Sequence, residues 1–219
     1  ELGQTLEYRT LDIDELGAEP GDVGGLMRSA RRLGFDGLNI THPCKQLALS
    51  HLDGLTPDAE ALGAVNTVVF GEAGVQGHNT DWSAFARSLE SGLPGAPKDR
   101  VLLLGTGGAG SAVGYALMRA GTGELAVSDP DFERAELLAA TLRGLFPDRV
   151  CRAVPVPQVA DTVRASDGLV NASPVGMAHH PGTPLPTELL RPSLWVADVV
   201  YRPLETELLA AARERGCRV

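Results

Sequence analysis

The sequence is short of several features that would define its class. It has three cysteines, Cys44, Cys151 and Cys217. None forms a C-x-x-C pair, and none lies near a histidine at zinc-ligand spacing. A disulfide framework is excluded, and a reducing, cytoplasmic setting is expected. His42, His51 and His78 match no metal-ligand pattern, and His179 and His180 sit in a proline-rich stretch that reads as exposed loop, so no metal is expected. No apolar run approaches the ~20 residues of a membrane span. Positive charge is also scarce: 19 basic against 28 acidic residues give a net charge of −9. Such a surface favours neither nucleic acid nor an anionic membrane. Internal repeats and low-complexity tracts are lacking too. What is present is 219 residues with 43% hydrophobic content, enough for one large domain or two small ones.

The punctuation is that of an α/β protein. Residues 6–13 read as a strand, 23–33 as a helix with Gly34 past its end, 37–40 as a strand and 45–53 as a helix. Residues 64–70 are strongly β-branched, and 75–78 close a hairpin with them across the 71–74 turn. A helix follows from Asp81 to about residue 91. Residues 92–98, rich in glycine and proline, read as a linker. Beyond it lie strands at 101–104, 125–128, 168–171 and 194–199, and helices at 111–120, 134–145 and 205–215. Strand and helix alternate, so largely parallel sheets are expected.

The segment VLLLGTGGAGSAVGYAL is strand, turn and helix. Gly105, Gly107 and Gly110 fill a G-x-G-x-x-G pattern, with Gly108 and Ala109 between them. The first glycine permits a tight turn, the second lets backbone approach a pyrophosphate, and the third allows helix and strand to pack closely. Asp129 ends the next strand, about 20 residues further on, where a carboxylate accepts from adenine-ribose hydroxyls and repels a 2′-phosphate. NAD is therefore expected over NADP. The plainer alternative is that Asp129 caps the helix around Arg134.

Three polar clusters occur in the first half: GLNITHPCK (37–45), GAVNTV (63–68) and GHNTDWSAF (77–85). Two more follow, NASPVGM (171–177) and DVVYRPLETELL (198–209). In this order the five closely resemble the shikimate and quinate dehydrogenases. The resemblance implies two domains: a substrate-binding α/β domain (1–88), then a Rossmann-like NAD-binding domain (89–219). It implies a hydride transfer between NAD and a hydroxylated cyclohexene or cyclohexane carboxylate, by a monomer or homodimer.

Removing a hydride from a secondary alcohol requires the hydroxyl proton to leave as well, which needs an acid/base group beside the oxygen. Lys45 is the candidate, oriented by Asp81, and the resemblance implies the same dyad. Spacing alone would make Lys45 a solvated helix residue and Asp81 a helix cap. By resemblance, Asn66 and Asp81 bind ring hydroxyls and Thr41 helps to hold the carboxylate. Asn171, Ala172, Ser173 and Met177 line the nicotinamide end of the cofactor. Tyr201 either faces the substrate or is a buried core residue.

Cys44 stands where the family usually has an aromatic residue or histidine, and Ala84 where glycine is common. The family pattern opens with a strand and a Ser-x-Ser or Ser-x-Thr motif, and closes with helices carrying a glutamine. Neither is present, so the chain reads as incomplete at both ends, with a first sheet short of a strand. The rival readings are an NADP-dependent shikimate dehydrogenase of aromatic amino-acid biosynthesis, an aminoshikimate-type enzyme and a non-catalytic metabolite sensor. The methylenetetrahydrofolate dehydrogenases share the two-domain plan and an active lysine, but GHNTD and NASPVGM fit them less well.

Overall fold

The computed structural model describes residues 7–41 and 43–219. The chain divides into two compact units, Glu1–Asn79 and Thr80–Val219. Among the described residues no helix is long and apolar enough to cross a membrane.

The first unit contains helix α1 (Val23–Arg32), strand β1 (Gly37–Asn39), helix α2 (Cys44–Leu47), strand β2 (Gly54–Leu55), helix α3 (Pro57–Leu62) and strands β3 (Thr67–Gly71) and β4 (Gly74–His78). Helix α1 ends as expected, with Gly34 in the left-handed region at φ 84°. Helix α2 continues as a 3-10 turn over Ala48–His51. Strand order is β1-β3-β4-β2. The β1–β3 and β3–β4 pairs are antiparallel, and only β2–β4 is parallel. This departs from the expected parallel sheet, because β3 turns straight back into β4 at Gly71 and Gly74 with no crossover helix. The core gathers Val23, Met27 and Ala48 from the helical side with Ala59, Val65 and Val68.

The expected strand at residues 6–13 is not found. Leu6 lies outside the described residues, as does His42. Residues 7–12 have no regular structure and a turn covers 13–17. Tyr8 is 78% exposed and Leu11 42%. An alternating pattern holds a strand only where a neighbouring strand accepts its amides and a core takes one face; among the described residues no strand pairs with this segment, and only Ile13 at its end packs on the core. Helix α3 was not anticipated, although Pro57 in its first turn and Gly63 at φ 58° bracket it.

The second unit contains helix α4 (Asp81–Gly92), β5 (Arg100–Leu104), α5 (Gly108–Arg119), β6 (Glu124–Ser128), α6 (Phe132–Leu145), β7 (Val150–Ala153), α7 (Val159–Arg164), β8 (Gly168–Asn171), β9 (Trp195–Asp198) and α8 (Glu207–Glu214). Its sheet runs β7-β6-β5-β8-β9, every pair parallel. Val101, Leu102, Leu103, Leu125 and Leu169 are buried, the continuous apolar run of strands covered on both faces. Successive strands step outward from β5 in one direction, and then in the other with β8. The carboxyl end of β5 is thus the topological switch point, where open α/β sheets bind ligands.

The division after Asn79 places α4 in the second unit, ahead of the 88/89 boundary expected from the sequence. Trp82 of α4 meets Tyr115 of α5 edge-on, with ring centroids 5.5 Å apart. The Arg119 guanidinium lies 4.9 Å over the Trp82 ring. Residues 92–98 are packed rather than a free linker: Leu93 and Ala96 are buried, and the Pro97 carbonyl accepts from Trp195 Nε1 at 2.7 Å.

Candidate active site

In the first unit, three segments converge on backbone hydrogen bonds. The Val65 amide donates to the Lys45 carbonyl at 3.0 Å, tying α2 to the chain entering β3. The Ile40 amide and Asn39 Nδ2 donate to the Asn66 carbonyl at 2.7 and 3.1 Å. The Asn66 amide in turn donates to the His78 carbonyl at 3.0 Å. Thr41, two residues after β1, accepts at its carbonyl from the Cys44 amide at 2.9 Å, which starts α2. Lys45, Asn66 and Thr41, distant in sequence, are therefore carried on adjoining backbone at one end of a small sheet. Asn66 is buried, and its Oδ1 accepts from Thr67 Oγ1 at 3.0 Å. Lys45 is half-buried and Thr41 exposed.

Asp81 belongs to the second unit, as the first residue of α4; the N-cap position is Thr80. A carboxylate there suits the positive end of a helix dipole. The Trp82–Tyr115 contact fixes the start of this helix against α5.

The glycine-rich turn joins β5 to α5. Gly105 has φ 90°. A Cβ on it would lie 2.6 Å from the Ser173 amide nitrogen, and one on Gly110 would overlap the Gly105 carbonyl oxygen. A Cβ on Gly108, by contrast, would meet nothing within 4 Å. Gly107 is the extended N-cap, and Gly108, Ala109 and Gly110 form the first turn of the helix. The inner glycines are closed by packing while the outer backbone stays open. That arrangement fits the phosphates of a dinucleotide at the start of a twelve-residue helix.

Asp129 stands at the end of β6, next to this turn. Its Oδ2 accepts from the Thr106 amide and Oγ1, both at 2.9 Å, and its Oδ1 from the Asp131 amide at 3.0 Å. Desolvation acts to raise its pKa, but the hydrogen bonds from Thr106 and Asp131 and the charge of Arg134 outweigh it and hold the carboxyl below its ordinary value. The cap of α6 is Asp131, which accepts from the Arg134 amide, so Asp129 is not the helix cap. One residue went unnoticed in the sequence, and another takes a place that the sequence did not give it. Thr106 is the buried clip that orients Asp129. Arg134, which the sequence places inside the helix, reaches back so that a Cβ on Gly107 would lie 3.4 Å from its guanidinium.

Asn171 ends β8 and is fully buried. Its Nδ2 donates to the Val175 carbonyl at 2.9 Å and to Asp198 Oδ1 at 3.0 Å. Its Oδ1 accepts from the Ser173 amide and Oγ at 3.1 and 2.6 Å. These bonds make Asn171 the residue that shapes the following loop. Ala172, Ser173 and Met177 on that loop are half-buried. The Ala172 amide donates to the Leu104 carbonyl at 2.7 Å, which holds the loop beside the glycine turn. Tyr201, on the connection from β9 to α8, is 72% exposed, which removes the buried-core alternative. His179 and His180 are exposed, as expected.

Known proteins resemble this chain. A family model described as the shikimate dehydrogenase substrate binding domain matches residues 1–68. The NADP(+) shikimate dehydrogenase of Streptomyces avermitilis is 57% identical over 215 residues, covering 98% of this chain and 74% of that protein. The NAD(+) quinate/shikimate dehydrogenase of Corynebacterium efficiens is 46% identical over 217 residues, covering 99% and 76%. The solved structure of quinate dehydrogenase from Corynebacterium glutamicum in complex with NAD superimposes with a TM-score of 0.86 at 47% identity, over 90% of this chain and 70% of that one. With its two α/β units, its glycine cradle and these relatives, the chain belongs to the shikimate/quinate dehydrogenase family, oxidoreductases that act on CH–OH groups with a nicotinamide cofactor.

Proposed function

We propose that this protein interconverts the hydroxyl and carbonyl forms of a hydroxylated cyclohexane or cyclohexene carboxylate, the quinate/3-dehydroquinate and shikimate/3-dehydroshikimate pairs, and that it prefers NAD. The observation that carries the cofactor preference is Asp129. Its carboxyl is held ionised by Thr106 and Asp131 at the rim of the glycine turn. A fixed negative charge there accepts from ribose hydroxyls and opposes a 2′-phosphate.

The nicotinamide, when bound, supplies or accepts the hydride. The first unit binds the cyclic acid and the second the dinucleotide. Lys45 takes the proton from the reacting hydroxyl oxygen during oxidation and returns it during reduction. Asp81 orients the Lys45 ammonium and accepts from a ring hydroxyl, Asn66 binds a second hydroxyl and Thr41 the carboxylate. Ala172, Ser173 and Met177 border the nicotinamide, and exposed Tyr201 contributes to binding the substrate. A protein that only sensed these metabolites would have no need of a proton-transfer group. The three buried cysteines form no disulfide, which suits a cytoplasmic enzyme.

A second reading has its own observation: the Arg134 guanidinium beside Gly107 offers a 2′-phosphate a positive partner, which favours NADP. Absorbance at the reduced-nicotinamide band separates the readings. The full-length protein is assayed with quinate, shikimate and aminoshikimate and with both dinucleotides. NAD turnover with the cyclic acids is expected; a higher kcat/KM with NADP makes Arg134 the deciding residue, and no turnover with any pair removes the enzymatic reading.

A further inference from the structure

The buried carboxylate of Asp198 has no part in the chemistry above, yet it is the node of the most connected polar network in the second unit's described hydrogen bonds. Asp198 ends β9, in register with Asn171 at the end of β8. Its Oδ1 accepts from Asn171 Nδ2 and from the Val200 amide, both at 3.0 Å. Its Oδ2 accepts from Thr206 Oγ1 at 2.8 Å. Thr206 is fully buried, caps α8 and accepts from the Leu209 amide at 3.3 Å. On the other side, Asn171 passes the connection to Ser173 and Val175, and Ser173 Oγ accepts from the Val175 amide at 3.3 Å. Gly176, at φ 105°, brings the far end of that loop within van der Waals reach of Thr206, since a Cβ on it would lie 3.5 Å from the Thr206 Cβ.

One carboxylate therefore ties together two loops that leave the carboxyl ends of neighbouring strands. One carries Ala172, Ser173 and Met177, and the other carries Tyr201. A neutral core contact could hold either loop. A carboxylate accepting from three donors on three segments fixes both at once, and directional bonds to an ionised acceptor are stronger than neutral ones. Burial pushes the Asp198 carboxyl above its ordinary value, while the bonds from Val200, Thr206 and Asn171 pull against that rise. Keeping such a group buried costs stability, which an apolar side chain would avoid.

We propose that Asp198 is a positioning residue for the nicotinamide half of the cofactor, setting the loop that carries Ala172, Ser173 and Met177 against the Tyr201 connection. This rests on the assignment of the first of those loops to the cofactor made above. It predicts that loosening Asp198 weakens the dinucleotide more than the cyclic acid.

The test uses the full-length protein with Asp198→Ala, Asp198→Asn, Thr206→Val and Thr206→Ser. Dissociation constants for NAD and NADH are measured by fluorescence, with KM for each substrate, kcat and thermal melting. Asp198→Ala should raise the dinucleotide Kd and KM about tenfold, the size of one good directional interaction lost, with a smaller rise in the KM for the cyclic acid through the Tyr201 connection. Asp198→Asn keeps the Oδ1 acceptor, and its new amide can donate to Thr206 Oγ1 in place of the reverse bond, so it should restore most of the affinity. Thr206→Val should weaken dinucleotide binding by a smaller factor, and Thr206→Ser should restore it. Lowered melting temperatures with unchanged dinucleotide constants would make the network purely structural and overturn the proposal. So would a loss confined to the cyclic-acid KM. If Asp198→Ala does not fold, the Thr206 pair decides by the same criteria. A parent protein that binds neither dinucleotide defeats the cofactor assignment itself, a result visible without any variant.

Discussion

The two units solve the problem of building a site in opposite ways. The second unit has five parallel strands of four or five residues, the inner ones largely apolar, and places its cofactor turn at the point where strand order reverses. What it offers a ligand is mostly backbone: at Gly105 and Gly110 side chains would not fit, and Gly107 leaves the start of the helix bare. The first unit has strands as short as Gly54–Leu55 in a sheet of mixed direction. What it offers under the function proposed above is side chains, Lys45, Asn66 and Thr41, on or beside short elements. A regular scaffold can present an anion-binding backbone, whereas that proposed chemistry draws most of its individual side chains from the irregular unit.

The contrast is tested most severely by Lys45→Ala. Turnover should fall by ~10²–10⁴-fold, while the dinucleotide Kd stays at the parent value. Near-normal turnover would mean that Lys45 is a surface lysine. Asp81→Asn should also lower turnover, weaken the cyclic acid, and combine less than additively with Lys45→Ala, because one proton path is broken twice. A double-mutant cycle on kcat/KM measures this.

In the second unit the largest effect is expected from Gly110→Ala, whose methyl would overlap the Gly105 carbonyl and displace the turn. Dinucleotide affinity should drop on the order of 10²-fold, whereas Gly108→Ala, with open space around its methyl, should cost little. Equal losses in the two variants, measured by fluorescence titration, would show that the inner packing of the turn does not matter. Asp129→Ala should narrow the ratio of kcat/KM between NAD and NADP by about tenfold. An unchanged ratio would move discrimination to Arg134.

The smallest effect sharpens the comparison within the second unit, because its two strand-end aspartates respond to acid with opposite signs. Asp129 has a lowered pKa in the folded state, so its stabilisation is present above the ordinary value of 3.8 and is lost as pH falls through the folded value. Asp198 has a raised one, so its contribution is present below 3.8 and is lost as pH rises through the folded value. Urea unfolding across this range should show Asp129→Asn converging with the parent toward low pH. Asp198→Asn should instead gain on the parent as pH rises. Parallel curves for both variants would contradict the two environments.

The second unit was largely legible in the sequence. Its strands are continuous apolar runs, and its turn is written in glycines. Two edge elements escaped, β7 and α7: β7 carries Arg152 in a four-residue strand, and α7 is six residues long, too short for helical spacing to declare itself. The first unit was legible in its motifs and less so in its architecture. Residues 7–12 carry a strand-like pattern without a strand, and the antiparallel pairing of β1 with β3 has no local signal at all, since it joins residues far apart in the chain. Lys45 and Asn66 could be named from the motifs, but the backbone bond between residues 45 and 65 that brings them together could not. The roles of Thr106 and Arg134 depend on a turn bringing residues 106 and 107 back to residues 129 and 134, and Asp198 becomes visible only when β8 and β9 are in register.

The packing of α4 on α5 also determines how the protein handles light. The sequence holds two tryptophans. Trp195 is sealed in the core with its Nε1 donating to Pro97, and an alanine methyl at residue 168 would overlap its indole. Trp82 is half-buried, lies under the Arg119 guanidinium and directly follows Asp81. A cation over an indole shifts and quenches its emission, whereas a sealed indole emits steadily until its core melts. The fold has sorted its two tryptophans into a sensor beside Asp81 and an internal reference, and both signals come from a protein that needs no label.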